Sequence, residues 1–239
     1  MIEAEWWDYD SVDEMAEAVA GDVGFILESA LDARSAALAA FPGGNTPLPI
    51  LAQLAKRKLP WKRVTIIPTD DRLVAVDNEL SNVRGLAQTF IPLGARVIPI
   101  ATVNEDHRMA GNAADARLQD LPWPPDLVWL GMGADGHTAS IFAGPDMQNA
   151  LDAPKARRAV GVMPDPMPAE APVARVTLTR AAILSARTIL ITVTGAEKRE
   201  LLEGAIADGH SSKLPIGRVL AECEQPIDIH WCPWRSTRA

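Results

Sequence analysis

The chain has 239 residues, 48% of them hydrophobic, enough to bury a substantial core without disulfide or metal staples. Its 23 Lys and Arg against 31 Asp and Glu leave a net charge of −8, a field that repels nucleic acid and anionic membranes, so an anionic ligand needs a local basic cluster to hold it. The two cysteines, Cys223 and Cys232, form no C-x-x-C or His/Cys pattern, which argues against a disulfide framework or a structural zinc site. With no signal-like amino terminus and no apolar run of about 18 residues, a cytoplasmic protein without membrane contact is expected.

Residues 11–34 carry Val12, Met15, Val19, Val23, Ile26, Leu27 and Leu31 at near-helical spacing behind Ser11, a candidate N-cap. They predict a long opening helix, with a break near Gly21. Residues 36–41 are small and apolar, as in a crowded central strand, and stop at Pro42-Gly43-Gly44-Asn45-Thr46-Pro47. Leu48, Leu51, Ala52, Leu54 and Ala55 then repeat at helical spacing, with Asn45 or Thr46 as cap and Pro47 in the first turn. A Gly-Gly turn running into a helix N-terminus points amide hydrogens and the positive dipole end outward, a ready seat for phosphate or carboxylate.

Residues 63–68 read as a strand that ends in a loop carrying Asp70, Asp71 and Arg72, followed by a helix over 82–90 capped by Ser81. Another strand is expected at 96–100 and an alanine-rich helix at 105–119. Pro122, Pro124 and Pro125 end that helix and precede a buried strand over 126–130. This strand runs into Gly131-Met132-Gly133-Ala134-Asp135-Gly136-His137. The glycines permit a sharp turn and close approach to a ligand, and a carboxylate one glycine away from an imidazole can orient it for general-base work.

Residues 157–162 resemble a strand, and the proline-rich 163–172 segment a surface loop. Residues 175–179 alternate like a strand, with Thr179 capping a helix through Arg187, and a buried strand follows over 188–193. Thr194-Gly195-Ala196-Glu197-Lys198 opens a helix to about Ala207, and Lys198 in its first turn opposes the dipole, a cost that an anionic ligand would explain. A short helix over 214–220 and a strand over 227–231 close the chain, and the seven scattered tryptophans are assigned no function.

Strands alternating with helices throughout predict one α/β domain over residues 1–239: a three-layer, mostly parallel, doubly wound (Rossmann-like) sheet with helices on both faces. Ligands of such sheets sit beyond the carboxyl ends of the strands. Residues 43–47, 70–72, 131–137 and 195–198 each follow a predicted strand, so four turns with site-like chemistry are expected on one edge.

These stretches, together with Ser81-Asn82, the run Thr138-Ala139-Ser140-Ile141-Phe142 and Arg175-Val176-Thr177-Leu178-Thr179, resemble the 6-phosphogluconolactonases in sequence and order. The resemblance covers about residues 36–220 and extends to the related glucosamine-6-phosphate deaminases, which share the Asp-Gly-His turn. In the deaminases a glutamate that assists the histidine follows the turn. Phe142 stands at that position here, and Arg72 replaces the deaminase tyrosine of the acidic loop, so the lactonase branch is favoured. Asn45, Asp71, Ala134 and Ala143 depart from the usual serine, glutamate, glutamate and proline.

The resemblance implies metal-independent, cofactor-free hydrolysis of 6-phospho-D-glucono-1,5-lactone to 6-phospho-D-gluconate by activated water. His137 is the expected base, Asp135 its orienting partner, and Arg72, or the Gly43 and Gly44 amides, the stabiliser of developing negative charge. Asn45, Thr46, Arg175 and Lys198 are the expected phosphate ligands, with Asp70 also in the substrate site. A monomer or weak homo-oligomer is expected, with no nucleic-acid partner. An amino-sugar-phosphate deaminase and a non-catalytic sugar-phosphate-binding module are the alternative classes.

Overall fold

The computed structural model describes residues 2–101 and 106–233. In chain order the elements are β1 (Ala4–Asp8), α1 (Val12–Arg34), β2 (Ala37–Phe41), α2 (Pro47–Leu54), β3 (Val64–Pro68), β4 (Asp70–Arg72), α3 (Asn82–Phe90), β5 (Arg96–Val97) and α4 (His107–Gln119). There follow β6 (Leu127–Leu130), α5 (Met147–Leu151), β7 (Ala159–Val162), β8 (Arg175–Leu178), α6 (Arg180–Leu184), β9 (Thr188–Thr194), α7 (Ala196–Asp208), α8 (Pro215–Leu220) and β10 (Ile227–Cys232).

Seven strands form a wholly parallel sheet in the order β1-β10-β9-β6-β2-β3-β5. Period-two alternation divides each central strand between two cores. Leu127 and Trp129 of β6 join α1, α2 and α3 on one face, while Val128 and Leu130 join α4, α7 and α8 on the other. Helices therefore cover both faces, as the alternation of elements predicts. From β2 the chain winds outward through β3 and β5, and from β6 through β9 and β10. The β2/β6 boundary is thus the switch in winding direction, where the loops leaving the two strands diverge and open a crevice.

Several boundaries differ from the sequence reading. Helix α1 runs unbroken through Gly21. Gly24, one turn on, instead gives room to a neighbour, since a Cβ there would lie 2.4 Å from Arg57 Nε. Strand β1, which the exposed acidic amino terminus hides, pairs in parallel with β10 at the sheet edge. The acidic stretch after β3 is a strand, not a loop: β4 leaves the main sheet to build a second, antiparallel sheet of order β4-β8-β7. The strand expected over 96–100 is only Arg96–Val97, ending before Pro99, which cannot donate to a ladder. Helix α6 stops at Leu184, short of Arg187. Residue 105, the expected start of the alanine-rich helix, lies outside the described residues, and α4 begins at His107 with Asp106 as its cap. Ser11 and Thr179 cap α1 and α6 as expected, accepting from the amides of Glu14 and Ala182.

Candidate active site

Beyond β2, residues 42–45 turn through Gly44, whose φ of 89° suits a residue without a Cβ. Thr46 occupies the capping position of α2 but makes no side-chain cap bond. The first turn of α2 also offers few amides. Pro47 and Pro49 have no N–H, and the Leu48 amide donates to the Asn45 carbonyl at 3.2 Å. The anion seat expected at this helix is thereby confined to residues 43–46 themselves.

In β4, alternation decides which members of Asp70-Asp71-Arg72 reach the crevice. Asp70 and Arg72 line it. Asp71 turns to the other side, is 1% exposed, and accepts from the Arg72, Asn82 and Val83 amides at 2.9, 2.6 and 3.1 Å and from the Ser81 hydroxyl at 3.1 Å. It caps α3, the role expected of Ser81, whose side chain makes no cap bond. Burial pushes the Asp71 carboxyl above the usual carboxylate range, and the three amide bonds pull against that rise. Asp70 is partly committed as well, accepting from Ser140 Oγ at 2.6 Å and from Thr69 Oγ1 at 3.2 Å.

After β6 the chain closes on itself: the Gly133 amide donates to the His137 carbonyl at 2.9 Å, and the Gly136 amide to the Gly133 carbonyl at 3.1 Å. Asp135 Oδ1 accepts from the His137 amide at 3.2 Å and lies 2.5 Å from His137 Nδ1. One carboxylate oxygen therefore fixes both backbone and ring. The hydrogen bond to His137 holds the Asp135 carboxyl below the usual carboxylate range. With Nδ1 donating to a carboxylate, a neutral imidazole carries its lone pair on Nε2, the atom a general base uses. Phe142 stacks on the ring with centroids 4.2 Å apart and planes at 28°, and the Arg175 guanidinium carbon lies 5.1 Å from the Phe142 centroid.

After β9, Gly195 at φ 88° starts α7 and brings Lys198 back over the neighbouring β6 turn, where Nζ donates to the Met132 carbonyl at 2.7 Å. Burial lowers the Lys198 pKa, and Asp135 opposes the shift. Arg175, 3% exposed, is likewise lowered by burial and then by the charge of Arg72.

The four turns enclose a cleft of about 260 Å³. Gly43, Gly44, Asn45, Thr46, Asp70, Arg72, His137, Arg175 and Lys198 all line it, whereas Asp135 stands behind the imidazole. Among the further residues of the wall are two polar side chains outside the expected set, Asn82 and Glu170. Among the described residues there is no group of three or more His, Cys, Asp or Glu disposed to hold a metal ion.

A family model described as glucosamine-6-phosphate isomerases/6-phosphogluconolactonase matches residues 10–231. The chain belongs to this family. A 6-phosphogluconolactonase of Rhizobium meliloti is 35% identical over 229 residues, covering 94% of this chain and 97% of that protein. One of Pseudomonas putida is 35% identical over 223 residues, covering 92% and 89%. The crystal structure of a 6-phosphogluconolactonase from Shewanella baltica superposes with a TM-score of 0.87 at 29% identity, covering 96% of this chain and 98% of that one.

The residues expected from sequence come together on one edge of the sheet because glycines and prolines mark strand-end turns locally. Asn82 belonged to a recognised motif without a role, since its partners, Asp70, Arg72 and Gly43, come from other turns. Glu170 had no signal beyond lying in a proline-rich loop.

Proposed function

We propose that this protein hydrolyses 6-phospho-D-glucono-1,5-lactone to 6-phospho-D-gluconate, the lactone-opening step of the oxidative pentose phosphate pathway. The observation that carries the reading is the Asp135–His137 pair on a cleft whose other walls present Arg72, Arg175 and Lys198. The cations answer the net charge of −8 locally, and an anionic substrate is what such a wall would select. The names of the curated relatives support the same substrate.

In this reading His137 Nε2 takes a proton from water as the water oxygen adds to the lactone carbonyl. Arg72, or the amides of Gly43 and Gly44, stabilises the resulting oxyanion. Collapse of the tetrahedral species breaks the bond to the ring oxygen, which receives the proton from Nε2. The acid product ionises, releasing one proton per turnover. Asp135 orients the ring and stabilises its charged form. Asn45, Thr46, Arg175 and Lys198 hold the phosphate and Asp70 contacts the sugar, so binding energy remote from the carbonyl is turned into alignment at it.

Phe142 favours hydrolysis over amino-sugar deamination. An aromatic ring stacked on the imidazole cannot relay a proton as a glutamate at that position would. The reading further takes residues 1–239 as one cytoplasmic α/β domain, a monomer or weak homo-oligomer working without metal, cofactor or nucleic acid. No helix among the described residues is long and apolar enough to cross a membrane.

The test is proton release from freshly generated 6-phosphogluconolactone, corrected for spontaneous hydrolysis, beside ammonia release from glucosamine 6-phosphate. Acceleration of the first is expected, and His137→Ala should lower kcat by about 10²-fold or more. Ammonia release without lactone opening would move the protein to the deaminase branch, and binding without either reaction would make it a sugar-phosphate-binding module.

A further inference from the structure

Asn82 is the first residue of α3, and it touches two of the strand-end stretches, β4 and the Gly43 turn. Its side-chain Nδ2 donates to the Asp70 carbonyl at 2.8 Å, its Oδ1 accepts from Arg72 Nη1, and its backbone amide donates to Asp71 at 2.6 Å. Only one orientation of the carboxamide serves both side-chain contacts. Rotated by 180°, it would set a donor against a guanidinium and an oxygen against a carbonyl.

The turn after β2 meets Asn82 sterically. A Cβ on Gly43 would lie 2.0 Å from Asn82 Oδ1 and 2.3 Å from its Cγ. Gly43, unlike Gly44, is not among the residues with positive φ, so its backbone conformation does not demand glycine. What demands it is the space the Asn82 carboxamide fills.

Arg72 needs such a hold. Its Nε is buried with no hydrogen-bond partner among the described residues, and opposite it stands the Arg175 guanidinium, whose pKa is lowered by burial and then by the charge of Arg72. Two neighbouring cations repel, and a long side chain with one free end would swing away. We propose that Asn82 is a positioning residue for Arg72: its carboxamide, seated against Gly43 and anchored on the Asp70 carbonyl, holds the guanidinium at the cleft wall beside Arg175. The inference rests on the reading that Arg72 faces the bound lactone.

A double-mutant cycle with Asn82→Leu and Arg72→Ala tests it, read as kcat and KM on 6-phosphogluconolactone and as calorimetric affinity for 6-phosphogluconate. Thermal unfolding checks that each variant is folded. Asn82→Leu should lower kcat/KM about tenfold, dividing the loss between kcat and KM as Arg72→Ala does. On the Arg72→Ala background it should change neither parameter further. Asn82→Asp, which keeps an acceptor for Arg72, should retain more activity than Asn82→Leu, and it carries the cycle should Asn82→Leu fail to fold. Additive losses, or near-wild-type kinetics in either single variant, would overturn the proposal. If the wild-type protein does not accelerate lactone opening, the proposed function fails on its own. The cycle is then read from 6-phosphogluconate affinity alone, where coupling supports the role of Asn82 and additivity refutes it.

Discussion

Arg72 and Arg175 stand directly opposite one another across the antiparallel β4–β8 pair. Like charges in that register destabilise a sheet. Arg175 is 3% exposed, and its Nε has no hydrogen-bond partner among the described residues. The arrangement is costly to the empty protein, and a bound anion would offset the cost. Arg175→Met should therefore leave the Tm of the ligand-free protein unchanged or raise it, while raising KM for the phosphorylated lactone about tenfold or more. Calorimetry and steady-state kinetics check both halves. A lowered Tm with an unchanged KM would make Arg175 a structural residue.

Gly133 should prove as restrictive as the histidine it faces. A Cβ there would lie 2.2 Å from the His137 imidazole and 2.6 Å from Asp135 Oδ1. Gly133→Ala should displace the ring and lower kcat about 10²-fold, as expected for loss of a general base, with a stability change of about 1 kcal/mol or less. Turnover and urea unfolding measured on the same preparation separate the two effects. Wild-type turnover would show that the ring works from another position.

Asp71 should behave as a stability residue despite its place in an acidic motif at the site. Removing the carboxylate strands the Asn82 and Val83 amides and the Ser81 hydroxyl, which it now satisfies. Asp71→Ala should cost about 2–4 kcal/mol of unfolding free energy, read from denaturant titration. A stable variant with lost substrate affinity would instead return Asp71 to the ligand.

His230 should make the protein acid-sensitive from a position remote from the cleft. The ring is 2% exposed, Nδ1 lies 2.9 Å from the Tyr9 hydroxyl, and Nε2 lies 3.9 Å from the Asp22 carboxylate. Burial lowers its pKa to about 4, with Asp228 opposing. Between about pH 6.5 and that value the unfolded chain binds the proton that the folded chain excludes. Stability from this group is thus complete above about pH 6.5 and falls as pH drops toward 4, by roughly 3 kcal/mol at most. Unfolding free energies at pH 7 and pH 5 should converge in His230→Phe; an unchanged pH slope would assign the acid loss to other groups.

The parts of this protein legible in the sequence are those whose causes are local. The apolar run into Gly131-Met132-Gly133 marks a buried strand and its turn, because backbone freedom without a Cβ is a property of single residues. The Asp135–His137 contact follows from a spacing of two, and Phe142, five residues beyond, separates the two branches of the family by side-chain type alone. Parallel strands with helices on both faces follow from alternation of element types.

What only the tertiary structure decided depends on partners distant along the chain. Strand β1 is invisible without β10 beside it, and β4 reads as a charged loop until β8 pairs with it. That pairing sets the register, and the register sends Asp70 and Arg72 into the cleft and Asp71 beneath α3, a choice that three adjacent polar residues cannot make for themselves. It likewise places Arg72 opposite Arg175 and brings Asn82 to both Arg72 and Gly43. Local sequence determined where the turns would be; long-range pairing, which no short window of residues encodes, decided which side chains meet there.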